Sequence, residues 1–302
     1  MNIYDELDEG SDLCGSDPSK IHIRKFYPMN GKNRGLAIIF SHTIFLGPYE
    51  PRIGNDVDCN RMESLLKELG FEVKIYKDRR KQQIFKILSE VSDMDHSDND
   101  CLAIVVMSHG DPGILQSYDE PYKVHEFWSK FTKTNCPSLE GKPKLFFIQA
   151  CRGDETDSGI LLKSPNQTYF QYQSLPKCNT MTDVKLLRYT QEELEIFLTP
   201  GEPDFLIGYA TTAGHCSFRR NKGSWYIEEL YSIFQQYGRK YDLLTLLTFV
   251  AQQVAVKYVS FSPMKPEIDD KLQIPCIIHT LVKQLYFFPE EAEDVPVNLQ
   301  LD

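Results

Sequence analysis

Cys101-Leu102-Ala103-Ile104-Val105-Val106-Met107-Ser108 is apolar nearly throughout and ends in His109-Gly110. A run without polar alternation marks a strand covered on both faces. Lys144-Leu145-Phe146-Phe147-Ile148-Gln149-Ala150 repeats the pattern and ends in Cys151-Arg152-Gly153. Outward from these two, residues 36–41 read as another buried strand and 71–75 as a further one. Between the latter pair, Met62, Leu65, Leu66 and Leu69 fall at helical spacing over 58–70, and Gly70 stops the helix. Residues 82–91, with Ile84, Phe85, Ile87, Leu88 and Val91, form a second amphipathic helix, and 124–131 a short third. Alternating strands and helices, with the strands continuously apolar, imply an α/β fold: a mainly parallel sheet with helices on both faces.

The pattern breaks after Ala150. Residues 151–202 scatter Pro, Gly, Asn, Gln, Ser and Thr, with at most a helical turn near 191–198. Roughly fifty residues without periodicity inside a compact domain reads as a functional linker. Order resumes with a strand at 204–211, helices at 224–237 and 243–259, and an extended C-terminal strand over 275–288. The sequence therefore divides into a short acidic leader (1–25), a region carrying His109 and Cys151 (26–153), a linker (154–202), a second ordered region (203–289) and an acidic tail (290–302).

Composition excludes several functions. The net charge is −10 and no long basic stretch exists, which argues against nucleic acid and anionic membrane as partners. The apolar runs are too short to span a bilayer, and the leader lacks a basic segment followed by an apolar run. A soluble, cytoplasmic protein is expected. The eight cysteines are dispersed with no C-x-x-C pair, so thiols in a reducing compartment are expected, with neither a metal site nor a cofactor.

The chemistry lies at the two strand ends. In an open parallel sheet the carboxyl ends of neighbouring strands face the ligand crevice, so His109 and Cys151 can meet although distant in sequence. A thiol beside an imidazole can act as a nucleophile in acyl transfer. Gly110 and Gly153 leave room for backbone N–H groups to approach a substrate carbonyl. Read by residue alone, this is cysteine-dependent acyl transfer on an unknown substrate.

Gln149-Ala150-Cys151-Arg152-Gly153 resembles the signature of the caspase family, which carries a His about fifty residues upstream. The resemblance extends through Arg52-Ile53-Gly54-Asn55-Asp56-Val57-Asp58, Asp95-His96-Ser97, Met107-Ser108-His109-Gly110, 141–148 and Gly223-Ser224-Trp225. It covers about 27–289 apart from the linker, and the short leader is similar to that of the executioner subgroup. What it implies is a caspase-like sandwich with a six-stranded, mostly parallel sheet, and a cysteine endopeptidase that cleaves after Asp.

By that resemblance Cys151 attacks the scissile carbonyl, His109 protonates the leaving amine, and N–H groups of Gly110 and Cys151 hold the oxyanion. Arg52, Gln149 and Arg219 stand where the family reads the aspartate, and a guanidinium fork suits a carboxylate. Ser217, Phe218 and Arg219 match the strip that pairs with substrate backbone, although the family commonly has Trp at Phe218. Cys216 stands where an aromatic often lines the second subsite, and Arg220 where some relatives carry Asn. Trp225 and Phe261 match positions near the fourth subsite; simple core packing is the other reading of both.

The resemblance also implies a zymogen cut in the linker. Asp157, before Ser158, and Asp183, before Val184, are both candidates; Asp183 would leave a longer catalytic loop. Asp12 is a candidate trimming site in the leader, alongside Asp8 and Asp17. Partners expected by resemblance are protein substrates, an upstream caspase, inhibitor-of-apoptosis proteins and a second copy of the chain paired through 275–288. Two alternatives stand beside the protease. A catalytically dead regulator would not need to retain Cys151, His109, Arg52, Gln149 and Arg219 together. A peptidase cutting after basic residues would need acids where Arg52 and Arg219 stand.

Overall fold

The computed structural model describes residues 26–159, the strand segments Cys178–Asn179 and Met181–Thr182, and residues 202–289. The chain opens with β1 (Leu36–Ser41), α1 (Asn55–Glu68), β2 (Glu72–Lys77), α2 (Lys81–Ser92) and β3 (Leu102–Met107). Three short strands follow, β4 (Gly110–Asp111), β5 (Ile114–Gln116) and β6 (Pro121–Lys123), then α3 (Val124–Trp128) and β7 (Lys144–Gln149). Two-residue strands β8 (Cys178–Asn179) and β9 (Met181–Thr182) precede β10 (Phe205–Tyr209), β11 (Phe218–Arg220) and β12 (Gly223–Ser224). The chain continues through α4 (Trp225–Tyr237), α5 (Leu243–Lys257), β13 (Ser260–Phe261) and β14 (Cys276–His279).

The main sheet has six strands in the order β14-β10-β7-β3-β1-β2. Every pair is parallel except β10 with β14. Strand periodicity divides the apolar side chains between two cores. Ala37, Ile39, Ala103, Val105, Leu145, Phe147 and Leu206 face α1, α4 and α5, which supply Met62, Leu66, Leu230, Phe234, Leu247 and Val250. Ile38, Phe40, Ile104, Val106, Phe146, Ile148, Phe205 and Ile207 face α2 and α3, which supply Ile84, Leu88 and Phe127. Each central strand is buried on both sides, which is why its sequence shows no polar alternation.

Three features depart from the expected layout. Helix α1 begins at Asn55 instead of 58, because Gly54 takes the left-handed conformation (φ 86°) that turns the chain into the helix. The β4–β6 meander was not foreseen; strands of two or three residues are too short to show periodicity. The C-terminal strand is much shorter than 275–288. It ends at His279, and the following apolar residues pack inward: Leu285 and Phe287 are buried in the α4/α5 core, with Phe287 edge-on to Phe71. The Leu285 carbonyl accepts from Leu243 N–H at the start of α5, so the chain has left the sheet there. The four-residue β14 is one edge of the sheet, and β2 is the other.

Candidate active site

Met107 and Gln149 pair in register across the parallel strands β3 and β7. Two residues further along each chain stand His109 and Cys151, so the register brings both to the same carboxyl end of the sheet. Gly110, next to His109, lies against the Cys151 backbone: a Cβ added to Gly110 would lie 2.6 Å from the carbonyl oxygen of Cys151. Only glycine fits at position 110. The meander holds this end in place, since Gln116 N–H donates to the His109 carbonyl at 3.0 Å.

His109 is almost fully buried. Its Nε2 lies 2.8 Å from the main-chain oxygen of Glu50. A carbonyl only accepts, so Nε2 carries the hydrogen and the basic lone pair of the neutral ring sits on Nδ1. Phe45 and Tyr49 bracket the ring, with centroids 4.7 and 5.1 Å away. Sequence reasoning missed this entire support, because a main-chain acceptor leaves no residue-type signal.

Cys151 sits just beyond β7, with Sγ accepting from Ser217 N–H at 3.1 Å. The loop that follows is laced to residues 214–216. Arg152 N–H donates to the His215 carbonyl (3.0 Å), Gly214 N–H to Arg152 (2.8 Å) and Cys216 N–H to Glu155 (2.9 Å). Gly153 has φ 147°, and a Cβ there would strike the backbone of Gly214 at 2.3 Å. The glycine therefore serves close approach of two backbones. Arg152 stacks on the Tyr209 ring at 3.9 Å and packs inward, away from substrate-reading geometry.

Three residues picked from the sequence converge beside the thiol. Arg52 is fully buried; Nη1 donates to the His42 carbonyl (3.2 Å) and to Asn55 Oδ1, while Nη2 reaches the Gln149 carbonyl at 3.5 Å. Arg219, also buried, donates through Nε to the Ile53 carbonyl at 2.9 Å. Gln149 Nε2 donates to Ser217 Oγ at 3.1 Å. Asp58, one turn into α1, is buried within reach of the charges of both arginines and accepts from Ser224 N–H through both carboxylate oxygens. Burial dominates there and raises its pKa to about 6, against the opposing pull of Ser224, Arg52 and Arg219. Asn55 locks Arg52 in turn, donating to Ser41 Oγ (2.7 Å) and Thr43 Oγ1 (3.1 Å).

The outer positions divide. Phe218 and Arg219 lie on β11, and Phe218 N–H donates to the buried Gln273. Trp225 is fully buried, stacked between Phe218 (4.8 Å) and Tyr258 (5.1 Å), so it supports β11 from behind. Arg220 pairs with Glu228 and lies over the Tyr258 ring. Cys216 is buried with Sγ 3.7 Å from the Gly153 carbonyl. Phe261 lies on β13. Asp157 forms a bridge with Leu272, whose N–H donates to the Asp157 carbonyl at 2.8 Å. Asp183 and Asp12 lie outside the described residues.

The profile of the caspase domain matches residues 34–286. The chain belongs to the caspase family. Over 263 residues this caspase is 42% identical to Caspase-1 of Drosophila melanogaster, covering 86% of this chain and 75% of that one. It is 40% identical to Caspase drICE of the same organism, covering 86% and 72%. The crystal structure of Caspase-1 from Spodoptera frugiperda superposes with a TM-score of 0.74 at 37% identity, over 87% of this chain and 95% of that one. The fold read from the sequence is thus the caspase fold, and the enzyme is a cysteine-type endopeptidase. Among the described residues no helix is long and apolar enough to cross a membrane.

Proposed function

We propose that this caspase cleaves protein chains after aspartate, with Cys151 as nucleophile and His109 as acid–base partner. The observation that carries the reading is the burial of Arg52 and Arg219 beside Gln149, at the strand end that bears the thiol. Two planar guanidinium groups in a closed site suit a carboxylate far better than a neutral or basic side chain. A substrate without the carboxylate would enter at the cost of desolvated cations, so rejection is strong.

In this reading Sγ of Cys151 attacks the carbonyl carbon that follows the aspartate. N–H groups of Gly110 and Cys151 stabilise the oxyanion. His109, held by Glu50 through Nε2, passes a proton from the Nδ1 side to the leaving amine, and water then hydrolyses the thioester. Ser217, Phe218 and Arg219 pair with the substrate backbone, and Cys216, Arg220, Trp225 and Phe261 shape the outer subsites directly or by support.

The linker 154–202 separates a large-subunit region (26–153) from a small-subunit region (203–289), and its cleavage converts a zymogen. Of the two linker candidates the geometry favours Asp183, since the Asp157 carbonyl is already engaged in the fold. The resemblance to the executioner subgroup supports a role in cell death, and the composition supports a place in the cytoplasm. The exposed edge β14 supports twofold antiparallel pairing with a second copy, through a shorter strand than the sequence suggests. An aspartyl electrophile incubated with the linker-cut enzyme tests the assignment. Peptide mass mapping is expected to find one adduct, on Cys151; an adduct on another cysteine, with Cys151 unmodified, contradicts it.

A further inference from the structure

Three strand ends stand in one row. Ser41 of β1 pairs with Met107 of β3, and Met107 with Gln149 of β7. The chains leaving this row carry, in the same order, the loop 42–50, His109 and Cys151. Beyond the thiol lies Ser217, next to β11, whose N–H donates to Sγ at 3.1 Å. The return of the loop at Arg52 belongs to the aspartate pocket; its outward part, 43–49, has no role there.

The residue after the cut carries the leaving nitrogen, which must come within hydrogen-bond reach of His109 Nδ1. Its Cβ is two bonds from that nitrogen, so its side chain meets whatever surrounds the imidazole. Tyr49 stacks on the imidazole (5.1 Å, 26°), Phe45 lies tilted against it at 4.7 Å, and the two rings are 5.6 Å apart. Both are only partly buried, and Ile44 and Leu46 beside Phe45 are 51% and 65% exposed. The loop is nevertheless pinned. Asp78 Oδ1 accepts from Thr43 N–H (2.6 Å) and Ile44 N–H (3.1 Å), and Leu46 N–H donates to the Tyr118 carbonyl (2.7 Å). Apolar surface held open on a fixed loop beside the reacting atoms is a preformed contact for a ligand. Acid stands nearby: Asp111 follows Gly110, and burial first, then the charge of Asp154, raises its carboxyl to about 6. It is largely ionised at neutral pH.

We propose that Phe45 and Tyr49 form a subsite for the residue that follows the cut, which takes an aromatic side chain and rejects an acidic one. The inference rests on the aspartate-directed protease reading and adds specificity on the amine side of the bond. A third ring packs offset or edge-on against the two already there. A carboxylate finds no donor among the rings and is repelled by Asp111 and Asp154. The rings that hold the imidazole thus also read the leaving group.

The test uses internally quenched peptides that are identical through Asp and carry Phe, Gly or Glu next, with kcat/KM measured on the linker-cut enzyme. The Phe peptide is expected to lead the Gly peptide by about tenfold, and the Glu peptide to be slowest. In Tyr49→Ala and in Phe45→Ala the Phe-to-Gly ratio is expected to fall toward one, while Asp is still preferred to Asn before the cut. Each ratio is taken within one enzyme, so a general loss of rate from a loosened His109 does not mask it. A Gly peptide cut as fast as the Phe peptide by wild type, a Glu peptide cut as fast as the Gly peptide, or a ratio unchanged in either variant overturns the proposal. Cleavage after Asp that ignores the next residue overturns the subsite alone; no cleavage of any of the peptides overturns the protease reading beneath it.

Discussion

Glu50 fixes the tautomer of His109. The main-chain oxygen lies 2.8 Å from Nε2, and Phe45 and Tyr49 hold the ring between them. A ring so pinned presents Nδ1 to the chemistry without an acidic side chain as its orienting group. Replacing His109 by Gln removes the proposed acid–base function but keeps a polar side chain of similar reach. The expected result is a fall in kcat of about 10²–10⁴-fold, with KM for an Asp-ending peptide changed much less. A variant retaining wild-type kcat would remove His109 from the mechanism.

Gly110 is the contact point between the two strand ends. A Cβ there would meet the Cys151 carbonyl at 2.6 Å and the Ala150 side chain at 2.9 Å, so backbone must move. Displacements of that size at reacting groups cost on the order of 10²-fold in rate. Gly110→Ala is therefore expected to lower kcat/KM by about that factor in the linker-cut enzyme while the far-ultraviolet circular dichroism stays native. Steady-state kinetics that match wild type would show that the two ends are not coupled.

Arg52 is bonded on several sides, to Asn55 Oδ1 and to the carbonyls of His42 and Gln149. Lysine keeps the charge and loses the planar fork. Arg52→Lys is expected to reduce kcat/KM for Asp-ending peptides by roughly 10²–10³-fold, because the carboxylate loses its paired donors. The check is a comparison of Asp- and Asn-ending peptides on both enzymes. If the ratio between the two peptides is the same in Arg52→Lys as in wild type, the arginine does not read the carboxylate.

His42 gives the fold an acid sensitivity. It is fully buried, its carbonyl accepts from Arg52, and its ring lies 6.2 Å from Phe45. Burial first, then the charge of Arg52, lowers its pKa from 6.5 to about 3. The unfolded chain takes up a proton below pH 6.5 and the folded chain does not until near 3. The stability from a neutral His42 is thus full above 6.5 and lost progressively as the pH falls toward 3. Between pH 6.5 and 4.5 the loss is about 2–3 kcal/mol. Asp58, raised to about 6 by burial, acts in the opposite sense: its protonation on the way down from 6 to 4 favours the folded state. Urea unfolding of wild type and His42→Asn at the two pH values isolates the histidine. The variant is expected to lose less stability on acidification by that amount; equal losses would refute the account.

Fold class was legible because β1, β3, β7 and β10 are buried on both faces and bracketed by amphipathic helices. Burial on two sides leaves a mark in composition, and α1 and α2 leave one in period. What stayed hidden has physical reasons. The apolar stretch 281–288 reads as strand by composition, yet Leu285 and Phe287 are buried by packing under α4 and α5, and composition does not say which partner buries a residue. The start of α1 depends on a single left-handed glycine at 54.

The site divides in the same way. Cys151, His109, Arg52, Gln149 and Arg219 carry chemistry in their side chains, so motif and resemblance reach them, and the register of Met107 with Gln149 brings the first two together. Glu50 contributes only a carbonyl. Asn55 and Asp58 fall within a block of resemblance, but their bonds to Arg52 and to Ser224 N–H show only in three dimensions. Gln273 ties Phe218 N–H to the Ala210 carbonyl from far along the chain, and nothing in its neighbours in sequence points there.

The central claim is aspartate-directed cleavage by Cys151. The most direct measurement is hydrolysis of fluorogenic tetrapeptides ending in Asp, Glu, Asn or Arg by linker-cut wild type and by Cys151→Ala. The account predicts turnover of the Asp peptide, little or none of the other three, and complete loss in Cys151→Ala. Comparable turnover of the Asn or Arg peptide, or activity that survives in Cys151→Ala, would contradict it.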